Sequence, residues 1–168
     1  MTQSTSHDLA RIERFKNAFR HHPSGVAIVA ADTPDGPMGL TISSLASVGV
    51  DPAAVSFSVS SSRGSAGAVL AAPTCGISLL GADHVEVATA FAQAGAPRFT
   101  TEQNWLAFDD GAPYLADARA ALWCRIVQVT PIGTSSLVLA EVLEIRSGAA
   151  AEPIVYHDRT FRGLRSPD

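Results

Sequence analysis

The most informative stretch of the sequence is residues 38–52, which read Met-Gly-Leu-Thr-Ile-Ser-Ser-Leu-Ala-Ser-Val-Gly-Val-Asp-Pro. Leu40 and Ile42 alternate with Thr41 and Ser43, which is the period of a strand with one apolar face. The strand continues into short hydroxyl residues, whose O–H groups and accessible backbone N–H groups can bind a phosphate. A serine-rich surface turn is the alternative interpretation. The stretch therefore predicts a strand that ends either in an anion site or in a polar turn.

Size and composition restrict the class of protein. The chain has 168 residues, 46% of them hydrophobic, which is enough for one substantial core. We therefore predict a single domain over residues 1–168, with residues 1–7 and 165–168 flexible. The net charge is −4, and no basic cluster stands out before the arginine-containing C-terminal tail, so we expect no nucleic-acid partner.

The cysteines and the first residues of the chain indicate the cellular compartment of the protein. Cys75 and Cys124 each lie in an apolar, strand-like context, where a free cysteine behaves as a small buried hydrophobe. Residues 1–14 are polar and contain no apolar stretch, so no signal peptide is predicted. The chain also has no apolar run of about 18 residues, so we expect no contact with a membrane. Together these features predict a cytoplasmic protein with reduced thiols.

Most of the predicted elements are strands, with helices between them. Apolar residues at helical spacing from Leu9 to Phe19 predict a first helix, capped by Ser6 or Asp8. The other predicted helices are 66–72 and 83–94, and the predicted strands are 25–31, 38–43, 54–60, 74–80, 122–129, 136–145 and 153–156. We expect residues 95–121 to be irregular, as functional segments often are. Short strands with so few helices favour an antiparallel barrel that is closed or nearly closed.

A polar loop, Ser61-Ser62-Arg63-Gly64-Ser65, precedes the predicted helix 66–72. Unpaired backbone N–H groups and the helix dipole favour a bound anion at such a position. The loop is thus a second candidate anion site beside the strand end at Ser43.

Three motifs stand out in this order of elements: Phe19-Arg20 followed by Pro23-Ser24-Gly25-Val26, residues 39–48, and Asp51-Pro52. They are accompanied by Arg98-Phe99 and by residues 111–115, 120–124 and 153–156. On these residues the chain resembles, over residues 15–164, the flavin reductase-like, FMN-binding split-barrel family. The resemblance implies a mainly β fold with short helices, built as an antiparallel split β-barrel that binds FMN.

The resemblance also implies a cofactor site for FMN, with FAD as the alternative flavin. The implied cofactor-binding residues are Ser24, Gly25, Val26, Thr41, Ile42, Ser43, Ser44, Ser47, Ser60, Ser61, Ser62, Arg63 and Phe99. Among these, Arg63 is the expected cation for the flavin phosphate, because charge-assisted hydrogen bonds are the stronger kind. Phe99 is expected at the rim of the ring site. A solvated loop arginine and an ordinary core phenylalanine are the alternatives.

One position departs from the family pattern. Reductases of this family usually carry Gly-Asp-His where nicotinamide and flavin meet, whereas this chain reads Gly133-Thr134-Ser135. No catalytic residue is therefore assigned firmly, and the candidates are Ser135 and His157, which lies in the tail that folds toward the flavin in the family. An exposed tail residue is the alternative for His157. We expect His84 on the surface, and no metal site, because no third ligand accompanies the other histidines.

The resemblance implies an NAD(P)H-dependent flavin reductase. Hydride would pass from NADH or NADPH to bound FMN or FAD, and the reduced flavin would serve a partner monooxygenase. The alternative is an FMN-binding flavoprotein of the same fold, either a carrier or an enzyme with another substrate, because the histidine is missing. We also expect a homodimer that closes the flavin groove with aromatic residues, although the tryptophans could equally lie inside one subunit. These aromatic residues are Phe99, Trp105, Phe108 and Trp123.

Overall fold

The computed structural model describes residues 2–148 and 150–164, and in these residues the protein is mainly β with three α-helices. The helices are α1 (Thr2–Arg20), α2 (Gly64–Ala71) and α3 (Val85–Ala92), with 3₁₀ turns at Ala82–His84 and Thr101–Gln103. The strands are β1 (Ser24–Gly25), β2 (Ala27–Ala31), β3 (Met38–Ile42), β4 (Ala46–Val50), β5 (Ala53–Val59), β6 (Thr74–Leu79), β7 (Trp105–Ala107), β8 (Pro113–Leu115), β9 (Ala120–Ile132), β10 (Ser135–Ser147), β11 (Ile154–His157) and β12 (Thr160–Gly163). The predicted mainly β class is confirmed.

The strands in the described part of the chain form three antiparallel sheets. The largest has the order β3-β2-β6-β9-β10-β5-β4, another has the order β1-β11-β12, and β7 pairs with β8. The β2–β3 hairpin closes through a turn in which Gly36 donates its N–H to the Thr33 carbonyl at 2.9 Å. Gly36 has a φ of +100°, a conformation that glycine adopts without strain. The hairpin predicted from this turn is confirmed.

The large sheet curves so that its two halves approach each other. β3 and β5 are far apart in the strand order, yet the ends of both line one cleft. The short connection of residues 43–45 leads from β3 at one edge of the sheet to β4 at the other edge. In this connection the Ser44 hydroxyl donates to the Ser58 carbonyl at 3.0 Å and accepts the Ser58 N–H at 2.9 Å. Within residues 2–148 and 150–164, the edge strands β3 and β4 each pair with one neighbour, so no ladder closes the sheet.

Strand β2 is buried on both faces because it separates two hydrophobic clusters. Val29 packs with Phe57 and the other residues of the interior cluster, whereas Ile28 packs with Phe91 in a cluster beneath α3. All five residues of β2 are buried, which explains their continuous apolar run in place of alternation. The sheet is therefore anchored on both sides close to β3, where the predicted anion site lies.

Cys75 and Cys124 lie opposite each other on β6 and β9 and carry free, buried thiols. Burial raises the pKa of Cys124 to about 12, and burial also raises the pKa of Cys75. Both thiols are therefore protonated and inert near neutral pH. The prediction that both cysteines are core residues is confirmed.

Several predicted elements have different bounds in the structure. Helix α1 begins at Thr2 rather than at Ser6 or Asp8, and a strand that was not predicted, β4, follows the serine stretch. β4 escapes prediction because both of its faces are exposed, so it has no apolar periodicity. Residues 95–121 are also less irregular than predicted, since they contain the β7–β8 hairpin. The flexible ends at residues 1–7 remain a prediction, and residues 165–168 lie outside the described residues.

The strand predictions near the C-terminus are extended by the structure. β9 and β10 continue until only Gly133 and Thr134 separate them, and β12 follows the predicted last strand. Two register shifts interrupt the β9–β10 ladder, and such bulges increase the local bend of a sheet. Among the described helices, none is long and apolar enough to cross a membrane.

Candidate functional site

The end of β3, the end of β5 and the start of β10 meet at a small polar cleft, here named the serine cleft. It has a volume of about 240 Å³. Its lining residues are Leu40, Thr41, Ile42, Ser43, Ser44, Ser58, Val59, Ser60 and Ser135. Ser135 reaches this cleft because its neighbour Ser136 pairs with Val59 of β5. The fold thus brings a catalytic candidate together with five of the predicted cofactor-binding residues.

The hydroxyl groups of the serine cleft differ in their hydrogen bonds. Thr41 donates its hydroxyl to the Ala88 carbonyl of α3 at 2.6 Å, and Ser44 is bonded to the Ser58 backbone. Ser43, Ser60 and Ser135 make no side-chain hydrogen bond to another described residue. The hydroxyls of Thr41 and Ser44 therefore hold the cleft together. The hydroxyls of Ser43, Ser60 and Ser135, and that of Ser58, whose backbone alone bonds to Ser44, can donate to a bound oxyanion.

A second cleft, the Arg63 cleft, lies at the other end of β3 and has a volume of about 730 Å³. Its lining residues are Pro37, Met38, Gly39, Leu40, Ser61, Arg63, Gly64, Ser65, Phe91, Ala92, Ala94, Gly95, Ala96, Arg98 and Phe99. Ser61 orders the loop by accepting the Arg63 N–H at 3.1 Å. Helix α2 begins here without a side-chain cap, so its positive end is available to an anion.

The loop beside Arg63 is tightly packed against the first turn of α2. A Cβ atom at Gly67 would lie 2.4 Å from the Ser62 carbonyl oxygen, so only glycine allows this approach. Gly64 has a φ of +56°, which also favours glycine. These two glycines hold the loop in a fixed shape and leave the Arg63 side chain exposed to solvent.

Arg98 lines the same cleft but is occupied by the protein itself. Its guanidinium donates to the carbonyls of Gly39, Ala90 and Gln93 and to the Ser65 hydroxyl, at distances between 2.6 and 3.2 Å. It also lies over the ring of Phe91, 5.5 Å from the centroid. Arg98 therefore joins β3, α2 and α3 and fixes the wall of the cleft.

Phe99 is among the residues that line the Arg63 cleft and also packs within the subunit. Its ring centroid is 4.9 Å from that of Phe91 and 4.7 Å from that of Trp105. Phe108 is buried and contacts Trp123, with 6.1 Å between centroids. The aromatic residues expected at a dimer interface thus contact one another inside one chain, which is the alternative interpretation for the tryptophans.

Two further clefts meet beside the β11–β12 hairpin. The Arg159 cleft, of about 490 Å³, is lined by Val26, Thr41, Ile42, Ser43, Val85, Thr89, Ala92, Gln93, Tyr156, Arg159, Thr160 and Phe161. The helix cleft, of about 920 Å³, is lined by Phe15, Lys16, Phe19, Arg20, His22, Pro23, Ser24, Gly25, Ser43, Ser44, Leu45, Ala46, Ser58, Tyr156 and Arg159. The predicted residues Ser24, Gly25 and Val26 therefore lie here, together with Ser43.

Three predicted residues lie away from these clefts. Ser47 is exposed on β4 and Ser62 is exposed in the loop before α2. The ring of His157 faces His21, with 6.1 Å between centroids, and His157 does not line any of the four clefts. The structure therefore separates His157 from Ser135, the other catalytic candidate.

The prediction that His84 lies on the surface is wrong. His84 is only 8% exposed, because its Nδ1 accepts the Gly81 N–H at 3.0 Å and its Nε2 lies 3.3 Å from the Asp117 carboxylate. The imidazole thus satisfies the backbone just before α3. In the part of the chain that the structure describes, no group of three or more His, Cys, Asp or Glu is placed to hold a metal ion.

Comparison with known proteins identifies the family. Residues 19–165 match the family described as flavin reductase like domain, so the chain belongs to this family. An NADH:FMN oxidoreductase of Rhodococcus qingshengii is 33% identical over 151 residues, covering 88% of this chain and 79% of the relative. The reductase component of a 4-nitrophenol 4-monooxygenase/4-nitrocatechol 2-monooxygenase of Rhodococcus opacus is 33% identical over 161 residues, covering 96% and 85%.

A solved structure supports the same assignment. The crystal structure of a flavin reductase domain protein from Arthrobacter sp. FB24 superposes with a TM-score of 0.87 at 29% identity. The match covers 93% of this chain and 97% of that chain. The resemblance stated from the sequence motifs is therefore confirmed for nearly the whole length of the fold.

Sequence reasoning missed two side chains that line the clefts at the hairpin, Tyr156 and Arg159. Tyr156 belongs to a motif that was recognised, but its position beside Ser24 depends on the pairing of β1 with β11. Arg159 gave no signal in the sequence, because its position depends on the β11–β12 turn. A strand pair is usually indicated by alternating apolar and polar residues, and residues 154–163 do not show this alternation.

Proposed function

We propose that the protein is an NAD(P)H-dependent flavin reductase that supplies reduced flavin to a partner monooxygenase. The observation that carries the proposal is a group of hydroxyls in the serine cleft, among them Ser43, Ser60 and Ser135, that make no hydrogen bond to another described residue. Family membership and relatives named as NADH:FMN oxidoreductase and as a monooxygenase reductase component support the same function. We assign FMN as the flavin, with FAD as the alternative, and NADH as the electron donor.

The side chains around the clefts have distinct roles in this proposal. Arg63, with the N-terminus of α2, binds the flavin phosphate, since a charged donor and exposed N–H groups suit a dianion. Ser43 and Ser60 donate to flavin oxygens, and Gly25 allows close approach of a ring. When bound, the flavin supplies the hydride-accepting ring. The protein orients the two substrates and excludes water from the space between them.

The first test is flavin-dependent oxidation of the nicotinamide. Purified protein is mixed with FMN, passed through gel filtration to measure retained flavin absorbance, and then given NADH under argon. We expect the flavin absorbance to bleach as hydride arrives, and we expect NADH consumption in air to depend on added FMN. Retained FMN without oxidation of NADH or NADPH would contradict the reductase function.

Ser135 favours a second candidate function, a flavoprotein on the same fold that is not a nicotinamide reductase. The family histidine is absent at this position, and a serine hydroxyl lies in the serine cleft instead. The double substitution Thr134→Asp/Ser135→His separates the two functions. If the wild type is a reductase, we expect the variant to oxidise NADH faster. If the protein is a flavin carrier, we expect the variant to oxidise NADH no faster than the wild type.

We also propose that the large sheet forms a split β-barrel and that the protein is a homodimer. The short connection of residues 43–45 supports the barrel, because it leads from β3 at one edge of the large sheet to β4 at the other edge. Helix α1 supports the dimer, since its apolar side chains from Leu9 to Phe19 are between 44% and 63% exposed. A second copy can cover such a face. A monomer by light scattering at micromolar concentration, with flavin bound, would contradict the dimer.

The family match over residues 19–165 supports a single domain over residues 1–168. Cys75 and Cys124 support a cytoplasmic location, because thiols on neighbouring strands stay reduced there. Reaction of both thiols with a disulfide reagent only after unfolding would support their reduced state. A disulfide in protein purified without reductant would contradict it.

A further inference from the structure

The hairpin of β11 and β12 places Arg159 where the Arg159 cleft and the helix cleft meet. We propose that the Arg159 guanidinium binds the diphosphate of the nicotinamide dinucleotide. Tyr156 and Phe161, whose ring centroids are 5.3 Å apart, form an aromatic wall beside it for a ring of the same substrate. This assignment rests on the proposed function, because it concerns the electron donor of that reaction.

The backbone at Arg159 is unusual for an arginine. His157 pairs with Thr160, so Asp158 and Arg159 form a two-residue turn, and their φ values are +48° and +61°. Such turns strongly favour glycine at the second position, because other residues are strained at positive φ. An arginine at this position is therefore unfavourable for the turn itself. Strain of this kind is commonly found at functional sites.

The turn is held in place by the end of α1. Asp158 donates its N–H to the Arg20 carbonyl at 2.9 Å, and its carboxylate lies 2.7 Å from the Arg20 Nε. Arg159 itself forms no salt bridge to a residue in the described part of the chain. The pKa of Glu13 on α1 is lowered by its hydrogen bond to Lys16 and also by the charge of Arg159, so this exposed carboxylate lies near the turn. The scaffold therefore fixes the turn through Asp158 and leaves the Arg159 guanidinium for a ligand.

The charges that line the two clefts favour an anion. In the Arg159 cleft, Arg159 is the only lining residue among those described that carries a full charge at neutral pH. The described lining of the helix cleft contains no carboxylate and adds Lys16 and Arg20, which pair with Glu13 and Asp158, so Arg159 is the cation of this cleft without a salt bridge to a described residue. This basic surface lies on a chain whose net charge is −4. A diphosphate, which carries two negative charges, matches it.

The flavin phosphate is the other phosphate in the reaction, and the layout of the clefts assigns it elsewhere. Met38 and Gly39 line the Arg63 cleft, whereas Ile42 and Ser43 line the Arg159 cleft, so opposite ends of β3 face the two clefts. No described cleft contains both arginines. Since Arg63 is assigned to the flavin phosphate, Arg159 is left for the nicotinamide substrate.

The substitution Arg159→Gly tests the inference, because stability and binding should change in opposite directions. Glycine relieves the strain of the turn, so the melting temperature of the flavin-free protein should stay the same or rise. The KM for NADH should rise roughly 10- to 100-fold, which is the loss expected for a hydrogen bond to a charged group. The kcat should stay within about twofold, since the lost interaction is uniform binding.

Matched controls separate the charge of Arg159 from its place in the fold. Arg159→Lys should recover part of the affinity for NADH. Arg162→Ala removes an exposed arginine of β12 that lines none of the clefts, so the KM should not change. Calorimetric titration with NAD⁺ gives the affinity without turnover, and it should weaken in Arg159→Gly by a factor similar to that of the KM.

The contrary outcomes are distinct. An unchanged KM and NAD⁺ affinity in Arg159→Gly, with an active wild type, would overturn the inference alone. A loss of affinity for FMN but not for riboflavin would place the flavin phosphate at Arg159 and overturn it as well. A fall in melting temperature would show that Arg159 stabilises the hairpin instead. A wild type that neither oxidises nor binds the nicotinamide would overturn the proposed function together with this inference.

Discussion

Arg63 and Arg98 line the same cleft, yet the structure uses them differently. Arg98 donates to three carbonyls and one hydroxyl, and these partners lie on three elements of the fold. Arg63 is exposed and forms no side-chain hydrogen bond or salt bridge to another described residue. A guanidinium has five N–H donors, so Arg98 has satisfied most of its capacity and Arg63 has satisfied none of it.

Residue type and position in a cleft therefore do not identify a ligand-binding arginine. What distinguishes the two is whether the protein already supplies acceptors. By this criterion Arg98 shapes the cleft and Arg63 binds the flavin phosphate. The same criterion divides the serines, since Ser44 is bonded to the Ser58 backbone and Ser60 is not bonded to the described protein. This criterion predicts different effects for substitutions of Arg98 and Arg63, and of Ser44 and Ser60.

The largest expected effect is a loss of stability in Arg98→Ala. The substitution leaves the carbonyls of Gly39 and Ala90 without their donor and removes a contact with Phe91. Hydrogen bonds to charged groups contribute about 1.5 to 3 kcal/mol each, and they are not additive. We therefore expect the free energy of unfolding in urea to fall by about 2 to 4 kcal/mol. Arg98→Lys keeps the charge but loses the planar fork, so it should recover only part of this loss.

A loss below about 0.5 kcal/mol in Arg98→Ala would mean that these hydrogen bonds add little to the fold. A stable Arg98→Ala protein with greatly weakened FMN binding would contradict the comparison directly, because Arg98 would then be a flavin ligand.

Arg63→Ala should give the opposite pattern. Because the side chain is exposed and makes no described contact, the free energy of unfolding should change by less than about 0.5 kcal/mol. The affinity for FMN should fall roughly 10- to 100-fold, since a charge-assisted hydrogen bond to phosphate is lost. Fluorescence titration measures the affinity of the protein for FMN and for riboflavin. Riboflavin lacks the phosphate, so its affinity should stay the same, and an equal loss for both flavins would contradict the role of Arg63.

Those parts of the fold that depend on local pattern were predictable. The alternation of Leu40 with Thr41 and the turn ending at Gly36 specify the β2–β3 hairpin, because periodicity and positive φ are encoded within a few residues. β4 was not predictable, since it exposes both faces. Part of the lining of the serine cleft, Thr41 to Ser44, was also predictable, because it lies in one continuous motif.

The side chains that depend on distant partners could not be predicted. Arg98 reaches the carbonyl of Gly39, 59 residues earlier in the chain, and nothing near Arg98 in sequence indicates that acceptor. His84 looked like a surface residue because it follows Asp83 at the start of a short predicted helix, yet Gly81 and Asp117 satisfy both of its nitrogens. His157 looked like a replacement for the missing histidine, yet β11 turns its ring toward His21.

The smallest expected effects come from the serine pair, Ser44→Ala and Ser60→Ala. Ser44 is bonded to both backbone groups of Ser58, so its loss should lower the free energy of unfolding by about 1 kcal/mol. Ser60 makes no such bond, so Ser60→Ala should leave stability unchanged and weaken FMN binding roughly 2- to 10-fold, as expected for one neutral hydrogen bond. Urea unfolding and FMN titration of both variants measure the two effects side by side.

The serine pair is the sharpest test of the comparison, because both residues are exposed serines that line the same small cleft. Size, polarity and surroundings are therefore matched, and only the hydrogen bonds to the protein differ. Ser44→Ala could weaken FMN binding as much as Ser60→Ala does, without loss of stability. In that case the hydrogen bonds to Ser58 would not keep the Ser44 hydroxyl from binding the flavin. Existing protein partners would then be no guide to which hydroxyls bind the flavin, and the assignment of Arg63 over Arg98 would lose its physical basis.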